Sequence, residues 1–315
     1  MKPNEADEPG SLDYNQRLWR RTRNDRIIIE TQPLKEQAAS SRWDHPVALF
    51  NNLCQPTRLM FHQFENHLVA VDDKDSVSVW NWLEERQMNR FSNGNPVGTR
   101  ITEIKFLNED DVALLMTGSG DGVVKIYRNY EDQDNIELVS TWRALTDLLP
   151  SRRSSGLIAD WQQGRGTMLV GGDVKVIKVW DAPREMCMSD IPARSGSCIT
   201  SLTSEQVAGN IFVAGFGDGA LRVYDRRLPP RESMVKVWKD HKSWIVKVHM
   251  QRGGMRELVS GTVTGEVKLW DIRMDSPVRS LSAHTKGMRS LSVHEHAPVI
   301  ATYDPSSYPP FDSQN

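Results

Sequence analysis

The sequence predicts an all-β fold built from one repeated hairpin unit, on three observations. First, residues 213–227, VAGFGDGALRVYDRR, read as a strand, a tight glycine turn and a second strand. Gly215, Gly217 and Gly219 allow a reversal that side chains with a Cβ would crowd, and the residues after the turn alternate with a period of two. Second, an aromatic that closes the second strand returns at Trp80, Tyr127, Trp180, Tyr224 and Trp270, at intervals of 44 to 53 residues. Third, the segments around these aromatics are related: VDDKDSVSVWNW, TGSGDGVVKIYRN, VGGDVKVIKVWDA, AGFGDGALRVYDR and SGTVTGEVKLWDI. A strand ending in Trp-Asp, recurring about every 40–45 residues, marks the blades of a WD-repeat β-propeller. A lone hairpin is not stable in water, so five copies point to one radial stack.

Composition narrows the function classes. Of 315 residues, 39 are basic and 41 acidic, for a net charge of −2, which gives no electrostatic reason to expect nucleic acid as the main partner. Cys54, Cys187 and Cys198 have no zinc-like spacing and are too few for a disulfide framework, a pattern that suits a reducing cytosol. The N-terminus, MKPNEADEPG, has no apolar core for a signal peptide, and no run approaches eighteen apolar residues. A soluble chain without membrane insertion is expected.

The chain divides into residues 1–44, 45–303 and 304–315. The first part is polar and basic, with arginines at 17, 20, 21, 23 and 26, and is expected to be a largely disordered, solvated linker. Its Ile27, Ile28 and Ile29 could add one strand to a blade edge. The second part is the propeller. Repeat one contains LMFHQF (59–64), HLVAV (67–71) and SVSVWNW; its turn has Lys74 where other repeats have aspartate. Repeat two contains TRITEIKFL (99–107), VALLMTG (112–118) and VVKIY, after the loop signal Asn93-Gly94-Asn95-Pro96. Repeat three carries an insertion, STWRALTDLLPSRRSSG (140–156), in which Trp142, Leu145, Leu148 and Leu149 have helical spacing up to Pro150. A short surface helix is expected there, with Trp142, Arg152 and Arg153 as candidate partner contacts. Arg184, in a later loop, is another.

Repeats four (about 197–227) and five (about 241–273) are the cleanest. In repeat five, His241, Ser260 and Trp270 stand where a turn, a strand and a closing indole share buried hydrogen bonds. Asp121 and Asp218 supply the turn aspartate in repeats two and four, but Thr264 occupies that place in repeat five, so the network there is expected to be incomplete. Trp80 and Trp180 are the corresponding structural aromatics of repeats one and three. A sixth unit begins: residues 277–284 complete blade five, and GMRSLSVHE and PVIATY supply two more strands. The following DPSSYPPFDSQN is proline-rich, and its prolines forbid a central strand. Five complete blades and part of a sixth are expected, an incomplete propeller of the seven-bladed type.

The laid-out repeats resemble the C-terminal propeller of the Raptor family, the regulatory-associated proteins of the TOR kinase. The stretches that carry the resemblance are VDDKDSVSVWNW, WRALTDLLPSRR with ADW after it, GGDVKVIKVWDAPREMCMSDIP (171–192), VAGFGDGALRVYDRR and HKSWIVKV. Together the resemblance covers roughly residues 69–300, and it includes the insertion and the unusual third turn, GGDVKV. The family's caspase-like domain, its helical solenoid and the last part of its propeller are absent, so a fragment or truncated form is expected. The resemblance implies a non-catalytic scaffold in TOR complex 1, acting in nutrient-dependent growth control. It also implies the TOR kinase, other complex components or substrates as partners, and a cytoplasmic location with recruitment to the lysosome surface.

Catalytic readings fare poorly. GSGDG (118–122) and GFGDG (215–219) join two strands, whereas a phosphate loop needs GKS or GKT at a helix start. His294 and His296 share a strand face without a third metal ligand in view. No nucleophile, base and orienting acid occur at recognisable spacing, and Cys198 reads as a packed strand residue. Neither cofactor nor metal is expected. A second binding class competes: Tyr224-Asp225-Arg226-Arg227 and Trp270-Asp271-Ile272-Arg273 resemble the box by which WD-repeat substrate receptors dock on cullin–RING ubiquitin ligases through an arginine, here Arg227 or Arg273.

Overall fold

Strand after strand, the computed structural model turns the five related segments into sheets of one design. It describes residues 8–41, 47–148, 154–251, 257–294 and 299–305. Blade 1 consists of β1 (Pro56–Phe61), β2 (His67–Asp72), β3 (Ser76–Asn81) and β4 (Arg86–Ser92). Blade 2 has β5 (Ile101–Leu107), β6 (Leu114–Ser119), β7 (Val123–Arg128) and β8 (Glu137–Arg143). Blade 3 has β9 (Leu157–Gln162), β10 (Thr167–Gly172), β11 (Val176–Asp181) and β12 (Met186–Pro192). Blade 4 follows with β13 (Ile199–Ser204), β14 (Ile211–Phe216), β15 (Leu221–Asp225) and β16 (Met234–Trp238). Blade 5 has β17 (Ile245–Met250), β18 (Glu257–Thr262), β19 (Glu266–Asp271) and β20 (Arg279–Ser282). A sixth sheet pairs β21 (Ser290–Val293) with β22 (Ile300–Tyr303). This is the WD-repeat propeller class, with five four-stranded blades and two strands of a sixth.

The turn chemistry explains why each hairpin closes where it does. Gly219 and Gly265 take φ of +83° and +85°, and a Cβ on either would lie 2.5 or 2.2 Å from a backbone carbonyl of His241 or His284. Any other residue would push the next segment off the sheet.

The chain forms two compact units. The first runs to Thr117 and includes Lys125–Thr141, so it holds blade 1 and most of blade 2. Its core gathers Val69, Val71, Val77 and Val79 with Ile104, Phe106, Leu115 and Tyr127, and β1 lies beside β5. The second unit holds blades 3, 4 and 5 and the sixth sheet, together with Gly118–Val124. There β9, β13 and β17 are neighbours, and polar bonds pin one blade to the next. Val248 N donates to Ser201 Oγ at 3.0 Å, Met250 N to Thr203 Oγ1 at 2.9 Å, and Ser204 Oγ to Asp160 Oδ2. Apolar residues from adjoining sheets fill the space around these bonds, for example Phe212, Ala214 and Phe216 against Leu169 and Ile177.

Two expectations are corrected. The stretch read as a solvated, disordered linker holds α1 (Leu12–Thr31) and α2 (Leu34–Ser40). Ser11 caps α1, accepting from Tyr14 N at 3.1 Å, and Asp13 lies in the first turn, where the helix dipole favours an acid. The arginine cluster then falls on helical spacing. Arg17 and Arg20 both reach Asp111, at 2.9 and 2.7 Å, Arg23 meets Glu65 at 2.6 Å, and Asn24 Nδ2 donates to Asp110 O. These acids, distant in sequence, hold the helix on its unit. Ile27, Ile28 and Ile29 continue α1 and add no strand.

The second correction concerns the insertion in repeat three. Trp142 is part of β8, where Ser140 and Trp142 turn their side chains inward at period two while Val139 and Thr141 stay exposed. Residues 144–148 follow in irregular conformation, tied back by Ala144 N and Leu145 N, which both donate to Gly122 O. The apolar spacing that suggested a helix is met by burying Leu145 completely beneath this turn. Residues 149–153 lie outside the described residues, Arg152 and Arg153 with them, as do residues 306–315 of the tail.

Candidate functional site

The closing aromatics differ in what they bind, and the residue opposite on the second strand decides it. In blade 5, Ser260 faces Lys268 two steps from the Leu258–Trp270 pair. Trp270 Nε1 donates to Ser260 Oγ at 2.7 Å, and Ser260 Oγ lies 2.7 Å from His241 Nε2. His241 Nδ1 is 2.6 Å from Glu266 Oε2. With Nδ1 carrying the proton, the bonds run one way: indole to hydroxyl, hydroxyl to imidazole, imidazole to carboxylate. Burial is the main influence on His241 and outweighs the Glu266 carboxylate, holding its pKa below the ordinary imidazole value.

Thr264 does not leave this network open. Glu266, two residues further on, supplies the carboxylate, while Thr264 Oγ1 contacts Ser243 Oγ and Thr262 Oγ1 at 3.0 and 2.9 Å. The sequence reading missed Glu266 because it sought an acid at one fixed turn position.

Blade 3 has the same register with Val170 facing Lys178 and Met168 facing Trp180. A valine has no acceptor, and the buried Nε1 of Trp180 meets none among the described residues; neither does that of Trp142, whose ring lies 6.0 Å away. Blade 2 solves the problem with an amide: Asn93 Oδ1 accepts from Thr117 Oγ1 at 2.7 Å and from Tyr127 OH at 3.0 Å. Burial, with Asp75 nearby, pushes the Tyr127 phenol up to about 12. In blade 4 Tyr224 OH donates to Ala193 O at 2.9 Å and its ring stacks on Phe212. Trp80, in blade 1, packs on Phe50 at 5.4 Å. Asp121 and Asp218 accept from the backbone of their own turns, at Val123 N and Ala220 N, and Asp218 also pairs with Arg222.

Among the described residues, no contact joins the candidate contact residues Trp142, Arg184, Arg227 and Arg273. Arg184 is exposed and held by Asp181 at 3.0 Å. Arg227 and Arg273 each fold back on the carboxylate two residues earlier, Asp225 and Asp271. Trp142 is half-buried on its strand. Burial pushes the Cys198 thiol up, and burial with Asp190 does the same for Cys187. Both shifts disfavour the thiolate that a nucleophile requires. Of the histidine pair, His294 precedes a stretch outside the described residues that includes His296.

No protein-family model matches the chain. It is 53% identical over 302 residues to the target of rapamycin complex 1 subunit mip1 of Schizosaccharomyces pombe, across 96% of this chain and 23% of that protein. It is 52% identical to the target of rapamycin complex 1 subunit KOG1 of Saccharomyces cerevisiae, across 96% of this chain and 20% of that one. The crystal structure of Chaetomium thermophilum Raptor matches with a TM-score of 0.83 at 52% identity, covering 90% of this chain and 26% of that chain. The chain thus spans between a fifth and about a quarter of the proteins it matches. In its repeats, its register and its similarity across nearly all of its own length, this chain belongs to the Raptor family.

Proposed function

We propose that this chain is a non-catalytic protein-interaction scaffold of a TOR complex 1, an adaptor in nutrient-dependent growth control. The observation that carries this reading is the identity of 53% and 52%, over 96% of the chain, to two proteins named as subunits of that complex. The physical character of the blades supports it. Rigid sheets locked by buried polar bonds present loops at fixed positions, which suits binding between proteins. The partners of this reading are the TOR kinase, the other subunits and substrates, met in the cytoplasm and at the lysosome surface. The near-balance of 39 basic and 41 acidic residues speaks against nucleic acid, and among the described residues no helix is long and apolar enough to cross a membrane.

Affinity purification tests the reading. The tagged chain, co-expressed with the TOR kinase, should retain the kinase well above the level held by an unrelated WD propeller of equal size. Equal retention overturns the proposal. So does recovery of a cullin adaptor that is lost with Arg227→Glu and Arg273→Glu.

A further inference from the structure

Among the described residues of the second unit, one pair of cations has no acid to answer it. Arg165 ends the short 3-10 turn Gln163–Arg165 between β9 and β10, and Arg226 follows β15. Arg165 Nε donates to Ala208 O at 2.8 Å and its Nη2 to Asn210 Oδ1 at 2.6 Å. Arg226 Nη1 donates to Gln162 Oε1, and the neutral Thr167 Oγ1 and Gly209 O lie within 3.4 Å of the same nitrogen, so neutral acceptors hold this end of the guanidinium. Gly209 makes the approach possible, since a Cβ there would lie 2.9 Å from Arg165 Cδ and Nε. The carboxylates adjoining in sequence are engaged elsewhere. Glu205 accepts from Val207 N, Ala208 N and Gly209 N, and Asp225 is held by Arg227. Among the described residues no carboxylate pairs with either Arg165 or Arg226.

We propose that Arg165 and Arg226 form a notch that binds a side-chain carboxylate of an acidic segment on a partner protein. A planar guanidinium fixed by neutral bonds keeps its remaining N–H groups pre-oriented for a carboxylate. Bringing in an anion also relieves the repulsion between two like charges. Burial first and the Arg165 cation second pull Arg226 below the usual guanidinium range, the direction expected where a counter-charge is wanting. Exposed Val207, next to the Ala208 carbonyl, and exposed Leu228, two residues after Arg226, add apolar surface on the same two loops. This inference does not depend on the identity of the complex.

The test uses the full chain and a fluorescein-labelled hexaglutamate peptide, with hexaglutamine as the neutral control, read by anisotropy at low and physiological salt. Wild type should bind hexaglutamate, and Arg165→Glu should weaken it by about tenfold or more, in keeping with loss of a charge-assisted contact. Arg226→Gln should weaken it as well, and Arg165→Gln serves if the first substitution lowers the melting temperature. Arg184→Glu makes the same change in net charge away from the notch and should alter binding by less than about twofold. Equal binding of the two peptides, or equal loss with Arg184→Glu and Arg165→Glu, overturns the proposal. Tighter binding of a phosphoserine peptide, also lost with Arg165→Glu, replaces the carboxylate with a phosphate and overturns that assignment.

Discussion

Blades 3 and 5 share strand order, register and a closing tryptophan, yet one satisfies its indole and the other does not. In blade 5, Ser260 hands the Trp270 proton donor on to His241 and Glu266. In blade 3, Val170 stands in the serine's place and the Trp180 donor meets no acceptor among the described residues. The difference teaches that a propeller blade needs its closing aromatic for volume and only secondarily for its hydrogen bond. Trp180 keeps its place through packing, including the tilted contact with Trp142. Trp270 adds direction to packing, with the Trp238 ring 5.0 Å away and a polar chain running to the surface.

The sharpest way to break this comparison is truncation. Trp270→Ala should lower stability in urea unfolding by about 3–5 kcal/mol, the range for a large buried aromatic, because it leaves a cavity and strands Ser260. Trp180→Ala, at a half-buried site with no hydrogen bond to lose, should cost clearly less. Equal losses would mean the polar chain contributes nothing. Phenylalanine isolates the hydrogen bond from the volume. Trp270→Phe should cost about 1–2 kcal/mol, the penalty for removing one partner of a buried bond, whereas Trp180→Phe should stay within about 0.5 kcal/mol because it also removes an unmet donor. A larger loss from Trp180→Phe than from Trp270→Phe would reverse the argument.

Acidity sharpens the contrast further, because blade 5 has a buried histidine in its network. His241 titrates below its ordinary value of 6.5 in the fold, and so does His62 in the first unit, lowered to about 3 by burial, His67 and Arg23. The unfolded chain therefore takes up these protons first as the pH drops. Stability contributed by the neutral imidazoles is complete above about pH 6.5 and is lost as the pH falls below it, for His62 on down towards 3, by at most about 1.4 kcal/mol per pH unit for each group. Melting curves across this window should flatten with His241→Gln and with His62→Gln, and keep their slope with Trp180→Phe. An unchanged slope in both histidine variants would show that neither group is held neutral.

Much of the fold was legible because its information is local. The period-two strands, the glycine turns and the returning aromatic all lie within short windows, and each window became a hairpin in the expected order. The polar network was legible in part. His241, Ser260 and Trp270 announce themselves by type and spacing, but Glu266 does not, because a carboxylate can arrive from the strand as well as from the turn. Trp142 misled for a related reason: Trp142 and Leu145 fit a helical spacing as well as a strand that ends in a buried turn. Only the pairing of β8 with β7 chooses between them. The N-terminal arginines read as solvated charge because their acids, Glu65 and Asp111, are far away in sequence.

By itself, then, the sequence determined the repeat unit and the succession of blades, since these follow from backbone turn chemistry and short-range alternation, while the family showed only through the resemblance of particular stretches. Tertiary structure alone decided which charges are neutralised and which stay unanswered. Arg17 finds Asp111 and Arg23 finds Glu65, while Arg165 and Arg226 are left facing neutral groups. The physical reason is that Coulomb interactions and hydrogen bonds depend on distance in space, and a linear order of residues does not contain that distance until the blades are packed.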